Sequence, residues 1–245
     1  MRDIRVHTKQ SLSSGAEIIL DDFAAKHIGT VLRLNPGKFV TIFNGEGGEF
    51  KSTITKVKRN KITLLVGEHV KTTNESPLKI HLGIGISRGD RMDTVIQKST
   101  EVGVTEITPL FTERVGVKLE NDKLQNRLTH WQKVCISACE QSHRTKIPII
   151  NSPKKIKDWI QSVSAQKKMM LDPKGKKQIS TLKNDKSIVD ISLLIGPEGG
   201  FSISEVEIAK NYKFDQISLG PRILRTETAP TVAISVFQSI WGDIN

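Results

Sequence analysis

The chain has 245 residues, 37% hydrophobic and 26% charged, which fits a soluble globular protein of one large or two modest domains. No apolar run is long enough to span a membrane, and the opening MRDIRVHTKQ lacks the apolar core of a signal peptide. Two cysteines are too few for a disulfide framework, so a reducing cytoplasm is the expected setting. Thirty-seven Lys and Arg against 26 Asp and Glu leave a net charge of +11, a balance that favours polyanions such as RNA or DNA over membranes.

In chain order, residues 1–74 read as a small β-rich domain. IRVHT, KFVTIF, FKSTITKV and KITLLVGEHV are short β-branched segments separated by NPG, NGEGG and KRN turns, as in a small barrel or sandwich. DDFAAKHIGTVLRL is a helical candidate with Phe23, Ile28, Val31 and Leu32 on roughly one face. KTTNESP at 71–77 reads as a linker. These 74 residues hold 12 basic and 7 acidic groups, a net +5, so under a third of the chain carries nearly half of the excess.

Residues 75–245 alternate strand and helix. KIHLGIGI places Ile80, Leu82, Ile84 and Ile86 on one face, and RMDTVIQKSTEVG has helical spacing with Gly103 placed to end it. EITPLF is a strand. A helix spans about 122–141 with Leu124, Leu128, Trp131, Cys135, Ala138 and Cys139 as its stripe. PII, KKMML, ISLLIG and QISLG are further strands, with helices near 153–163, 202–212 and 228–241. This alternation predicts a mostly parallel sheet covered on both faces.

Two turns carry the chemistry. LLIGPEGGFSISE joins a strand to a helix opened by the Ser202/Glu205 capping pair, so GPEGG lies at the carboxyl end of a strand, where open α/β sheets bind ligands. Its glycines present bare backbone, and the turn has no lysine of the kind a phosphate loop carries. SLGPRILRTETAP also leaves a strand end through Gly-Pro and enters an apolar helix. The two loops could wall one pocket. Cys135, Cys139 and His143 occupy i, i+4 and i+8 on a helix, so the first and last lie roughly 12 Å apart and cannot share a zinc ion. No metal is expected.

IGPEGGFS..E followed by LG.RILRTETA closely resembles the ribosomal small-subunit methyltransferase E family of knotted SPOUT methyltransferases. The RMD…QKSTEVGV…ITPL run, ERV at 113–115, W..V…ACEQSHR..IP and HIGTVLRLNPG extend the resemblance over nearly the whole chain. The resemblance implies a PUA-like β-barrel at 1–74 and, at 75–245, an α/β domain with a deep trefoil knot that binds S-adenosylmethionine. It also implies a homodimer and methylation of N3 of one uridine in 16S ribosomal RNA of the small subunit. A knot is nearly absent from proteins in general, so nothing but the resemblance suggests it.

Carried onto this chain, the first knot loop contributes Ile195, Gly196, Glu198, Gly199 and Gly200 to the cofactor. The second contributes Leu219, Gly220, Ile223, Leu224, Thr226 and Thr228, and Leu171 in MMLDP opens the third. Transfer to N3 needs a base and a cation to hold charge on the uracil oxygens. Glu227, Arg222 and Arg225 are the catalytic candidates, and Arg5, Arg33, Arg88 and Arg144 the RNA-binding ones. A ribose 2′-O-methyltransferase and a non-catalytic binder of structured RNA are the alternatives. The serine-leucine-asparagine ending of the former is not found here.

Overall fold

The computed structural model describes residues 4–26, 28–29, 32–58, 61–72, 74–114, 121–182, 185 and 187–244, leaving aside the side chains at 121–123 and 180. Two compact units divide the chain: Met1–Glu75 with Cys139–Ile147, and Ser76–Ala138 with Pro148–Asn245. The expected boundary at 74/75 did not foresee that residues 139–147 join the first unit.

The first unit contains β1 (Arg5–His7), β2 (Glu17–Ile19), α1 (Asp22–Lys26), β3 (Phe39–Phe43), β4 (Glu49–Lys58), β5 (Lys61–Leu65) and β6 (His69–Val70). Its six-stranded sheet runs β1-β3-β4-β5-β2, with β6 on β4, and only β1–β3 is parallel. Alternation in β4 and β5 sends Ile54, Ile62 and Leu64 into the core, which Ile42 of β3, a strand buried from Val40 to Phe43, also joins and where Ile28 and Ala25 meet them. Of the helix expected over DDFAAKHIGTVLRL, α1 forms the five residues Asp22–Lys26, with Asp21 Oδ1 accepting from the Phe23 and Ala24 amides. Val31 lies outside the described residues.

Two of the arginines expected to meet RNA are buried among protein acceptors. Arg5 is buried; its guanidinium bonds Glu49 at 3.0 and 3.1 Å and reaches the carbonyls of Cys139 and Arg144. Arg144 is likewise buried and pairs with Glu75 at 2.6 Å. The same carboxylate accepts from the Thr145 and Lys146 amides, so the expected linker at 71–77 contains an anchor. Arg33 is exposed, with a positive φ of 50°.

The second unit holds β7 (Lys79–Gly85), α2 (Arg91–Glu101), β8 (Glu106–Phe111), most of α3 (Asn121–Ser142), β9 (Ile149–Ile150), β10 (Lys154–Lys155), α4 (Ile156–Ser162), β11 (Lys167–Leu171), β12 (Lys177–Gln178), β13 (Asp190–Ile195), α5 (Ile203–Asn211), β14 (Asp215–Ser218) and α6 (Thr228–Trp241). Every pairing in its eight-stranded sheet is parallel, in the order β10-β8-β7-β13-β11-β14-β12 with β9 on β8. All carboxyl ends therefore lie along one edge. Central β7 is covered on both faces: Ile80, Leu82, Ile84 and Ile86 are buried on one, while Gly83 and Gly85 face Trp159 and Pro197 on the other. A Cβ on Gly85 would stand 2.5 Å from Pro197, so the GPEGG turn can approach the strand only because this side chain is missing.

Near the amino end of β7, His81 Nε2 accepts from Trp159 Nε1 at 3.2 Å and lies 2.8 Å from Thr108 Oγ1. Burial lowers the His81 pKa, outweighing the attraction of Glu106 at 3.5 Å. Below the ordinary value of 6.5 the unfolded chain takes up a proton that the folded imidazole resists, so this contribution is present above 6.5 and fades as pH falls. The stability advantage of the wild type over His81→Gln is therefore expected to shrink below that pH. Urea unfolding of both proteins across the range checks it, and a difference that does not vary with pH would refute it.

Candidate functional site

Adjacent strands β13, β11 and β14 deliver three turns to the same edge of the sheet. Together they enclose a cleft of about 1080 Å³. Its walls are mostly apolar, from Leu171, Ile195, Ile217, Leu219, Ile223 and Leu224, with the bare backbone of Gly196, Gly200 and Gly220 between them.

The turn after β13 is held in shape from several directions. The Gly200 amide donates to the Pro197 carbonyl at 2.8 Å, with Gly200 at φ +65°, a conformation that costs a side chain strain. A Cβ on Gly196 would meet the Gly200 backbone at 3.3 Å, so the backbone stays exposed to a ligand there. The expected capping pair is present: Ser202 Oγ accepts from the Glu205 amide, and Glu205 Oε2 accepts from the Ser202 amide. The other oxygen of this buried carboxylate accepts from the Glu113 amide, and Arg114 donates to the Gly199 carbonyl at 3.0 Å. Glu113 and Arg114 of the ERV stretch thus brace the turn; Val115 lies outside the described residues.

Glu198 connects this cleft to a second hollow. It lines the cleft, and its Oε1 accepts from Arg91 Nη1 at 2.6 Å and from the Arg88 amide at 3.4 Å. Burial pushes the Glu198 carboxyl up, but the Arg91 hydrogen bond and the nearby amides outweigh it and hold the pKa below its usual value. Arg88, Gly89, Asp90, Arg91, Thr94 and Glu227 line the second hollow, about 560 Å³ in volume.

The residues singled out from sequence separate accordingly. Leu171, Ile195, Gly196, Glu198, Gly200, Leu219, Gly220, Arg222, Ile223, Leu224 and Thr226 come together around the cleft. Gly199 is not on its lining; a Cβ there would point at Arg114, 3.1 Å away. Thr228 is exposed in the first turn of α6. Glu227 and Arg88 belong to the second hollow. The Arg225 side chain is 85% exposed and 3.8 Å from Glu227, so it reaches neither space. Sequence reasoning missed Arg91 and Thr94. It also missed Asp172, Lys174, Lys176 and Lys177, which the turn after β11 brings to the cleft. The signal for the three lysines was the KGKKQIS run, which reads in isolation as a solvated loop. The absence of lysine therefore describes the GPEGG turn and not the whole cleft, although Lys177 is neutralised by Asp215 at 2.9 Å.

Comparison with known proteins places this geometry. An RNA methyltransferase domain family matches residues 74–238, and an RNA methyltransferase PUA domain family matches residues 20–67. The ribosomal RNA small subunit methyltransferase E of Buchnera aphidicola subsp. Schizaphis graminum is 37% identical, with 98% of each chain covered. A methyltransferase of Legionella pneumophila, solved with bound S-adenosylmethionine, has a TM-score of 0.96 at 39% identity, covering 99% of this chain and 100% of that one. The ribosomal RNA small subunit methyltransferase E of Neisseria gonorrhoeae, also bound to S-adenosylmethionine, gives 0.92 at 34% identity with both chains fully covered.

Proposed function

The chain belongs to the ribosomal RNA small subunit methyltransferase E family, and from that premise we propose that it methylates N3 of one uridine in 16S ribosomal RNA. The substrate on this reading is the small ribosomal subunit in the cytoplasm, and S-adenosylmethionine is the cofactor. The observation that carries the proposal is the cleft of about 1080 Å³ built from three turns at adjacent strand ends. Its donor set suits a nucleoside with a sulfonium. Bare amides and carbonyls at Gly196, Gly200 and Gly220 match adenine edges, apolar side chains pack on its faces, and Glu198 is the carboxylate for ribose hydroxyls. When bound, the cofactor supplies an electrophilic methyl group.

The chain's own residues would do the rest. N3 of uracil must lose its proton, and the charge that develops on the ring oxygens needs a cation. We assign the base to Glu227 and the cations to Arg88 and Arg91, because these three line one hollow that Glu198 ties to the cofactor cleft. Arg222 lines the cofactor cleft, and exposed Arg225 serves the RNA backbone. The knotted threading belongs to the same reading: the order β13-β11-β14 and the packing of α6 on α2 support it. So does a homodimer, for which exposed Ile203, Ile223 and Val232 are available apolar surface. Sedimentation is expected to give twice the monomer mass, and an active monomer would count against the dimer.

The deciding experiment is to incubate the protein with labelled cofactor and unmodified small subunits, then digest the RNA to nucleosides. N3-methyluridine at a single site is expected. Label on a ribose 2′-oxygen would assign the other knotted chemistry, and no label with intact RNA binding would leave a binding protein.

A further inference from the structure

Burial of Arg5 and Arg144 leaves open which part of the first unit meets RNA, and its sheet offers a surface for it. Strand alternation points Phe39, Thr53, Leu65 and Glu17 outward in one row across β3, β4, β5 and β2, in the register Phe39↔Thr53↔Leu65↔Glu17. The next row is Lys56↔Thr63↔Ile19. Phe39 is 75% exposed, Ile19 55% and Leu65 42%. Three large apolar side chains thus stand in water on a unit whose inward face already has a closed core. Around them Lys51, Lys56, Lys58 and Lys61 are exposed on β4 and β5, against two carboxylates among the described outward residues of these strands, Glu17 and Glu49, the latter half-buried and already paired with Arg5.

We propose that this outward face, centred on Phe39 and Leu65, is a platform for a single-stranded segment of the RNA substrate. The inference rests on the RNA-methyltransferase reading and adds the surface that reading lacks. Bases that are not paired expose their faces, and an aromatic ring with neighbouring aliphatic groups stacks them without regard to sequence. Lysines spaced between such groups match the phosphates that link the bases. A duplex hides its bases and offers nothing to Phe39. A protein partner fits less well, because lysine is depleted at protein interfaces while this face is rich in it.

Fluorescence anisotropy of the full-length protein with a labelled single-stranded RNA of about twelve nucleotides tests the proposal. Phe39→Ala is expected to weaken binding about tenfold and Phe39→Trp to restore it, as base stacking on an aromatic predicts. Lys51→Ala with Lys56→Ala is expected to make the dependence of log affinity on log salt shallower by about 0.7 per lost phosphate contact. The same RNA closed into a duplex should be indifferent to Phe39→Ala. All these positions are exposed, and circular dichroism with cofactor titration checks that each variant remains folded and that the other unit is unaltered. Unchanged single-strand affinity in Phe39→Ala overturns the platform. So does a fall in sedimentation mass with RNA affinity intact, which would assign the face to a second copy. Failure of the wild type to bind cofactor would instead count against the methyltransferase reading, which the anisotropy series does not test.

Discussion

Glu75→Ala is expected to remove about 3–5 kcal/mol of stability, the usual cost of leaving a buried charge without its partner. The carboxylate takes two hydrogen bonds from the Arg144 guanidinium, at 2.6 and 3.1 Å, and two from backbone amides, both at 3.0 Å. Both side chains are enclosed, 5% exposed for Arg144 and 12% for Glu75. The Lys177–Asp215 pair is of similar length but about half exposed on both sides, and its loss should cost at most about 1 kcal/mol. Since whole domains are stable by only about 5–15 kcal/mol, the first substitution brings the first unit close to unfolding at ordinary temperature. Urea unfolding followed by circular dichroism measures it. The double variant Glu75→Ala, Arg144→Met should recover much of the loss, because it removes the stranded charge along with its partner. A single-variant loss below about 1 kcal/mol would show that Arg144 finds other acceptors.

Glu227→Gln is expected to lower kcat by about 10²- to 10⁴-fold, the range that a positioned general base contributes. Affinity for cofactor should stay within about twofold, because Glu227 lines the hollow beside α2 and not the larger cleft proposed for the cofactor. The amide keeps the shape of the carboxylate and its place as the residue before α6, so folding should be preserved. Single-turnover methylation of small subunits, with separate cofactor titration, distinguishes the two quantities. A fall of less than about tenfold in kcat would move the base to another residue. Arg225→Ala, with its guanidinium in solvent, should change turnover far less than Glu227→Gln does.

Local rules made much of the second unit legible. The Ser202/Glu205 pair announces α5, Gly103 at φ +94° ends the α2 segment, and the α3 stripe buries Trp131, Cys135, Ala138 and Cys139. Both Gly-Pro turns arrive at strand ends, as their neighbours in sequence indicate. What stayed hidden depends on partners distant in the chain. Arg5 reads as a basic residue on a basic domain until Glu49 and the carbonyls near residue 140 enclose it. Arg91 looks like any first-turn arginine until Glu198, 107 positions later, reaches it. The two-residue strands β9, β10 and β12 carry too little pattern to stand out. Gly83 and Gly85 interrupt the apolar pattern of β7 in sequence yet belong to it, one inside the strand and one at its carboxyl end, because Trp159 and Pro197 need the space.

The discontinuity of the first unit has a consequence in time. Its first piece ends at Glu75, but the residues that complete it, Cys139–Ile147, follow roughly 70 positions later. At about 5–20 residues per second, a ribosome takes about 4–14 s to supply them. During that interval Arg5 lacks its carbonyl acceptors and Glu75 lacks its guanidinium. The nascent β-sheet can form from local pairings, but the two charges at its margin stay in water until the end of α3 emerges. The unit that begins first at the amino terminus therefore finishes only after β7, α2 and β8 of the other unit have been made.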